Sequence, residues 1–159
     1  MIEGRQRKSQ EELRQILAST KTIAVVGLSE KPDRPSHAIP AYLQQQGYRI
    51  IPVNPNLTEA LGEKAYASLR DIPAKVDIVD CFRKTGEILP IAEDAIAIGA
   101  KVLWQQLGVT NEEAARKAET AGLDTVMDRC VKIEHARIMG GLNWAGVNTG
   151  VISAKRAGT

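Results

Sequence analysis

The sequence has little of several features that would assign it to a specialised class. Only two of its 159 residues are cysteines, 4% are aromatic, and no apolar run approaches the roughly 20 residues needed to cross a bilayer. Cys81 and Cys130 lie far apart without a C-x-x-C pair, which favours neither a disulfide framework nor a zinc site and fits a reducing compartment. We therefore expect a cytoplasmic protein that holds no metal and does not enter a membrane.

Positive charge is concentrated at the two ends of the chain. The formal net charge is +2, but residues 22–136 hold 13 basic and 16 acidic side chains. Proteins that bind nucleic acids usually present a basic face with interleaved aromatic side chains, and six scattered aromatic residues do not supply one. The sequence therefore predicts no nucleic-acid partner.

One domain over residues 9–138 is predicted between two tails. Residues 1–8 form the first tail, in which Ile-Glu-Gly-Arg at 2–5 matches a protease recognition sequence often added for expression. Residues 139–159 form the second tail, which is rich in glycine and shows no helical or strand periodicity. Neither tail is included in the predicted domain, and the sequence leaves open whether the second tail folds over the rest of the protein.

Five short apolar segments alternate with helical segments within this domain. Strands are predicted at 22–26, 48–53, 76–82, 101–104 and 123–127, and helices at 9–19, 36–46, 87–98, 110–121 and 131–138. Ser9, Ser36 and Thr110 are expected to cap three of the helices, and residues 54–71 form a loop with an edge piece near 64–69. The alternation predicts a doubly wound parallel β-sheet of the Rossmann-like class, with three α/β/α layers.

The residues that follow the strands form the candidate site, because ligands of such sheets bind outside the carboxyl ends of the strands. Gly27, after the first strand, allows a sharp turn or a close approach of the backbone to a ligand. Together with Ser29, Arg34 and Ser36, the N–H groups at the start of the next helix could hold a phosphate. A purely structural interpretation stays open, in which Gly27 ends the strand and Ser36 caps the helix.

The same loop lacks the signatures of the common nucleotide sites. A dinucleotide site has G-x-G-x-x-G and an acidic residue after the second strand, whereas this chain has only Gly27 there and then Asn54-Pro55. No G-x-x-x-x-G-K-[ST] pattern occurs, which excludes a P-loop. NAD is therefore disfavoured, and a nucleotide with a pyrophosphate and a further phosphate fits the cations Arg34, Arg83 and Lys84 better.

Six segments, in order along the chain, resemble the small CoA-binding domain proteins of bacteria and archaea. They are IAVVGLS at 23–29, RPSH at 34–37, GYRIIPVNP at 47–55, VDIVDCFR at 76–83, WQQLG at 104–108 and MDRC at 127–130. These proteins are similar to the nucleotide-binding half of the succinyl-CoA synthetase α subunit, and the resemblance covers residues 12–138. It implies a Rossmann-like CoA-binding domain whose ligand is coenzyme A or an acyl-CoA.

The resemblance also implies which residues bind the ligand. They are Gly27, Leu28, Ser29, Arg34, Pro35, Ser36, Val53, Asn54, Pro55, Phe82, Arg83 and Gln106. It implies a pyrophosphate at the Gly27 turn, the adenosine near Asn54-Pro55, and the pantetheine arm beside Phe82 and Arg83. For Phe82 a core role and for Gln106 a loop-capping role stay open, and Cys81 stands where an aliphatic residue is more usual.

Few residues are suited to catalysis. His37 is expected at a helix start, in reach of a phosphate, and His135 on a helix surface or sheet edge, and neither can serve as the phosphorylated histidine of the synthetase. Cys130 is the weak catalytic candidate, because a helix start and Arg129 favour a reactive thiolate. It would form a mixed disulfide with CoA or sense oxidants, although a structural thiol is the simpler interpretation.

We therefore expect non-catalytic binding of CoA or an acyl-CoA, as a sensor or a carrier. Three alternatives stay open: an NAD(P)-binding redox sensor or oxidoreductase, an enzyme acting on acyl-CoA through Cys130, and a protein-interaction module that binds no nucleotide. The sequence also leaves open whether the chain forms a homodimer or binds another protein.

Overall fold

A computed structural model describes residues 7–139 and shows a five-stranded parallel sheet. Its strands are β1 (Thr22–Val26), β2 (Arg49–Val53), β5 (Ile78–Cys81), β6 (Val102–Gln105) and β7 (Asp124–Val126). Their spatial order is β2-β1-β5-β6-β7, and every neighbouring pair is parallel. The predicted doubly wound, Rossmann-like fold is confirmed.

Helices cover both faces of this sheet. They are α1 (Gln10–Ser19), α2 (Pro35–Gln45), α3 (Ile88–Ala97), α4 (Glu112–Thr120) and α5 (Val131–Ile138). Helices α1, α2 and α5 pack on one face, against side chains such as Ile23, Ile78 and Trp104. Helices α3 and α4 pack on the other face, against Val79 and Leu103. The strands are short and apolar because each is buried on both faces.

Between β2 and β5 the chain forms a small hairpin of β3 (Glu59–Ala60) and β4 (Glu63–Lys64), joined through Leu61 and Gly62 with positive φ angles. Tyr66 then bridges to the end of β2. A 3₁₀ turn, Leu69–Asp71, follows before β5, and a second one, Thr85–Glu87, lies after β5. The edge piece expected near 64–69 is therefore a hairpin, a bridge and the beginning of a 3₁₀ turn.

Two of the three predicted caps are wrong. Ser9 caps α1 in a capping box with Glu12, as expected. Helix α2, however, begins one residue earlier than predicted, with Arg34 at its N-cap and Pro35 at its first position, so Ser36 does not cap it. Helix α4 is capped by Asn111, whose side chain accepts from the Ala114 N–H, and not by Thr110.

Within residues 7–139, no helix is both long and apolar enough to cross a bilayer. The glycine-rich segment predicted as a tail lies outside the described residues, apart from Met139. The first tail likewise lies outside them except for residues 7 and 8.

Candidate functional site

The site lies at the carboxyl edge of the sheet, where the strand order reverses between β1 and β5. Helix α2 leaves β1 toward one face, and α3 leaves β5 toward the other. Such a divergence opens a crevice at the strand ends, which is where doubly wound sheets bind their ligands. Gly27 and Phe82 follow these two strands and lie on either side of the crevice.

Gly27 is required by the backbone that surrounds it. Its φ angle is +91°, and a Cβ built there would lie 2.5 Å from the Phe82 carbonyl oxygen and 2.9 Å from Cδ of Arg83. Its N–H donates to the Val53 carbonyl at 2.9 Å. Only glycine fits this turn, which draws the ends of β1, β2 and β5 together.

The loop after Gly27 is fastened to the start of α2 by two hydrogen bonds. The Ser29 N–H donates to the Ser36 carbonyl at 3.2 Å, and Nδ1 of His37 lies 2.7 Å from the Ser29 carbonyl. Pro40 explains the first bond: it has no N–H with which to occupy the Ser36 carbonyl within the helix. His37 is thus at the helix start, as expected, with one ring nitrogen engaged by the loop.

A cleft of about 670 Å³ opens on the α2/α5 side of the edge. It brings together six of the twelve predicted binding residues, from three separate segments: Arg34, Pro35, Ser36, Phe82, Arg83 and Gln106. Two more of its walls were predicted in other roles, Lys84 as a candidate cation and Cys130 as a reactive thiol. The remaining walls were not predicted, and they are Ile39, Glu87, Leu107, Val109 and Ile133. Ile39 and Ile133 lie one turn into helices whose first residues flank the edge, a signal that could have found them.

A second cleft, of about 310 Å³, opens on the α3 side of the same edge. Its walls include Val53, the last residue of β2, and Pro55 in the following loop. Ser68 and Leu69 at the start of the first 3₁₀ turn also line it. Arg83 and Glu87 line both clefts. The two clefts therefore share the Arg83 and Glu87 side chains as a common wall, and Arg83 lies beside the Gly27 turn.

Three of the predicted residues, Leu28, Val53 and Gln106, have buried side chains. The Leu28 side chain is fully buried in the core, and its carbonyl accepts a hydrogen bond from the Asn54 side-chain amide at 3.0 Å. Gln106 is also buried, and its Oε1 accepts from the Val131 N–H at 3.1 Å. The capping role left open for Gln106 is thus present, since its side chain caps α5 while lining the cleft.

The cations of the site are exposed and differ in their partners. Arg83 pairs with Glu87 at 3.4 Å, one helical turn along the chain. Across residues 7–139, Arg34 and Lys84 form no ion pair. Arg34 precedes α2, whose N-terminal N–H groups carry partial positive charge, so this end of the cleft favours an anion.

Cys130 lines the larger cleft as the N-cap residue of α5. The neighbouring Arg129 is already engaged: its Nη1 lies 3.3 Å from Oε1 of the buried Glu134. Cys81, by contrast, is fully buried in β5, where burial and then the adjacent Asp80 raise the pKa of its thiol. Of the two cysteines, Cys130 is the one that a ligand in the cleft can contact.

The surface position expected for His135 is wrong. His135 is buried between α5 and α2, with its Nδ1 2.9 Å from the Tyr42 hydroxyl and its ring edge-on to those of Tyr42 and Tyr48. Burial lowers the pKa of this histidine. Because the ring is enclosed by aromatic side chains, His135 supports the packing of α5 and lies outside the cleft.

The sequence analysis gave no role to Asp80, a fully buried carboxyl group in the centre of the sheet. Neither of its oxygens has a hydrogen-bond partner among residues 7–139. Asp80 lies two residues after Ile78 in β5, so both side chains point to the face covered by α1, α2 and α5. Burial raises the pKa of this carboxyl group well above its ordinary value, so it is held in the neutral form.

Comparison with known proteins assigns this architecture to a family. The model of the CoA-binding domain matches residues 21–136, so the chain belongs to the CoA-binding domain family. An uncharacterized protein of Bacillus subtilis, YneT, is 45% identical over 131 residues, which cover 82% of this chain and 97% of that protein. The resemblance inferred from the sequence is confirmed at the level of the family.

A longer relative and a solved structure extend the comparison. The α subunit of acetate–CoA ligase (ADP-forming) II from Pyrococcus furiosus is 30% identical over 122 residues, covering 70% of this chain but only 27% of that subunit. A hypothetical protein from Pyrococcus horikoshii has the same fold, with a TM-score of 0.82 and 42% identity over 87% of this chain and the whole of the other. The chain therefore matches stand-alone domains over nearly their full length and the ligase over a quarter.

Proposed function

We propose that this chain binds coenzyme A across the carboxyl edge of its sheet and catalyses no reaction on it. The observation that carries the proposal is a pair of clefts that share Arg83 beside the Gly27 turn and are lined by residues of four segments predicted to bind CoA. Membership of the CoA-binding domain family supports the same ligand. A protein with this site would act as a sensor or a carrier of CoA.

The pyrophosphate is assigned to the Gly27–Ser29 turn and the start of α2. Within the described chain no hydrogen bond occupies the Ser36 N–H, which is directed out of the first helical turn. Arg34 lies at the helix start and Arg83 beside the turn, so both can neutralise phosphate charge.

The adenosine end is assigned to the smaller cleft, beside Asn54 and Pro55. The Asn54 side chain is held by Leu28 and by the Asn56 N–H at 2.9 Å. A neutral amide at this position tolerates a phosphorylated ribose, whereas the carboxylate of an NAD site would repel it. The pantetheine arm then extends along the larger cleft, past Phe82 toward Gln106.

The test is calorimetric titration of the ligand-stripped protein with CoA, dephospho-CoA and NAD. We expect CoA to bind, with affinity about tenfold lower when the 3′-phosphate is absent or when Arg34 is replaced by alanine, because a charge-assisted hydrogen bond to phosphate contributes on the order of 1.4 kcal/mol. Arg116→Ala, which removes an exposed arginine of α4, serves as the matched control and should change nothing. Binding of NAD without binding of CoA would refute the proposal.

A thiol reaction at Cys130 is a second candidate, favoured by the position of this side chain in the cleft wall. In that reaction the thiolate attacks the thioester of an acyl-CoA, so that the acyl group moves to Cys130 and CoA leaves as the thiol. Incubation with acetyl-CoA distinguishes the two functions. Release of free CoA that disappears in Cys130→Ser would establish the reaction, whereas no release by the wild type supports binding alone.

A further inference from the structure

The larger cleft changes character along its length. At the β1 and β5 end its walls carry three cations, Arg34, Arg83 and Lys84, and one carboxylate, that of Glu87, which pairs with Arg83. At the β6 and β7 end they carry Leu107, Val109, Cys130 and Ile133, with no charged side chain. Because neighbouring strands lie about 4.8 Å apart, roughly 10 Å separates β1 from β6. The cleft therefore joins a cationic end to an apolar end.

Two large apolar side chains at the apolar end are exposed. The exposed fraction is 65% for Leu107 and 53% for Ile133. Met139, at the far end of α5, is the third exposed large apolar residue named among residues 7–139, and it lies outside the cleft. Exposed apolar surface concentrated at the rim of a cavity marks a binding surface better than the same residues scattered singly.

The backbone segments that carry these two side chains are held together by hydrogen bonds. Leu107 occupies a tight turn in which the Val109 N–H donates to the Gln106 carbonyl at 2.8 Å and Gly108 has a φ angle of +87°. The Gly108 N–H in turn donates to Oδ1 of Asp128 at 2.7 Å. The hydrogen bond from the Val131 N–H to Gln106 ties this turn to the helix that carries Ile133. The turn that carries Leu107 and the helix that carries Ile133 are therefore linked before any ligand binds.

We propose that Leu107 and Ile133 bind the acyl chain of an acyl-CoA, so that the protein prefers acyl-CoA thioesters with extended apolar chains over free CoA. The inference rests on the proposed function, because it is the CoA moiety that directs its thiol end along the cleft. In an acyl-CoA the acyl chain lies beyond the pantetheine arm, at the opposite end from the pyrophosphate. The cationic and apolar ends of the cleft match these two parts of the molecule in the same order.

Calorimetric titration of the wild type with CoA, acetyl-CoA, butanoyl-CoA and octanoyl-CoA tests the inference. We expect the affinity to rise with chain length by about fourfold for each methylene group that becomes buried. The ratio of octanoyl-CoA affinity to CoA affinity should fall about tenfold in Leu107→Ser and in Ile133→Ser. Met139→Ser, which removes an exposed apolar side chain outside the cleft, is the matched control and should keep the wild-type ratio.

The other possible results distinguish failure of the acyl subsite from failure of CoA binding. CoA binding with an affinity that does not depend on chain length would overturn the acyl subsite and leave the proposed function standing. If the wild type is a dimer and Leu107→Ser a monomer by size-exclusion chromatography, without any dependence on chain length, the apolar rim pairs with a second copy and the inference is wrong. Absence of binding by CoA and by every thioester would refute the proposed function and the inference together.

Discussion

The two faces of the sheet are packed with different kinds of side chain. On the α3/α4 face, small side chains such as Ala92, Ala95 and Ala118 pack against Val79 and Leu103. The opposite face holds Trp104 and Tyr48, with the buried polar groups of Asp80, Gln106, Glu134 and His135. Both faces exclude water from the strands, and both contribute to the walls of the larger cleft, the first through Val109 and the second through Ile39 and Phe82.

The two faces also differ in whether their buried polar side chains have hydrogen-bond partners. On the α3/α4 side, Gln105 bonds the Asn111 backbone through both its amide oxygen and its amide nitrogen, and the Thr125 hydroxyl donates to Glu119 at 2.6 Å. On the other side the Asp80 carboxyl has no partner among residues 7–139. An unsatisfied buried polar group destabilises a fold. The buried polar side chains of the α3/α4 face therefore all have partners among residues 7–139, whereas the opposite face holds a buried carboxyl group without one.

The largest effect is expected from a substitution on the packing face. Leu103→Ala removes a fully buried side chain from the middle of β6 and should lower the free energy of unfolding by about 4 kcal/mol, through lost burial and a cavity. The affinity for CoA below the unfolding temperature should not change. Chemical denaturation and calorimetry measure the two quantities, and a loss of affinity in the folded variant would show that the faces are coupled.

Gly27→Ala is expected to have the next largest effect, at the edge where the two faces meet. The added Cβ combines an unfavourable φ angle with a 2.5 Å contact to the Phe82 carbonyl, which should cost about 3 kcal/mol of stability and most of the CoA affinity. Gly47→Ala provides the control, since its φ angle is +104° but nothing lies within 4 Å of the added Cβ. It should cost only about 1 kcal/mol. Equal losses in the two variants would contradict the role given to the contact.

On the cleft face, replacing Asp80 should increase stability. Asp80→Val removes an unpartnered carboxyl group and should raise the free energy of unfolding by about 1–2 kcal/mol at neutral pH. The raised pKa means that the folded state holds a proton that the unfolded state releases above about pH 3.8. The stability due to this proton is therefore complete below that pH and is lost as the pH rises through the folded-state pKa, by up to about 1.4 kcal/mol per pH unit.

Asp80→Asn separates charge from packing in the same experiment. It keeps a polar side chain of similar shape but cannot titrate, so its stability should lack the pH dependence contributed by Asp80. Denaturation curves of the wild type and both variants between pH 4 and pH 8 measure the difference. Identical slopes in all three proteins would show that Asp80 is not the neutral group described above.

The smallest effect concerns His135 on the same face. Because burial lowers its pKa below the ordinary 6.5, the unfolded chain takes up a proton before the folded protein does. Stability is thus present above pH 6.5 and is lost as the pH falls through the folded-state pKa. His135→Gln should flatten this dependence, whereas His37→Gln, which changes the histidine at the start of α2, should retain it. The same flattening in both variants would contradict the assignment.

Local patterns in the sequence were sufficient to predict the fold. The strands are continuous apolar runs because both faces are covered, and the first strand and the last helix have the predicted bounds, Thr22–Val26 and Val131–Ile138. The caps of α2 and α4 were wrong because several residues near each helix start can serve as caps, and backbone geometry chooses among them. The sequence pattern could not distinguish these neighbours.

The sequence predicted some of the residues that line the larger cleft and missed others. Residues directly after strands could be located from the strand pattern, so Phe82 and Gln106 were predicted as site residues, and both line that cleft. Leu107 and Ile133 were missed because an isolated apolar residue in a sequence is normally assigned to the core. The position of Ile133 near a helix start was a signal for the cleft, but only the three-dimensional structure shows that both side chains are exposed at its rim. His135 was placed on the surface for the opposite reason, since nothing in its sequence context reveals the two tyrosines around it.

A crystal structure of the protein with CoA tests the central claim most directly. We expect the pyrophosphate to lie over the Gly27 turn, within hydrogen-bond distance of the Ser36 N–H. The adenosine should lie beside Pro55, and the thiol should lie beyond Gln106 in the larger cleft. A separate cleft of about 280 Å³ beside β7, lined by Thr125 and Arg129, offers the contrary result. CoA bound there, with the Gly27 turn empty, would contradict the assignment of the site to the carboxyl edge between β1 and β5.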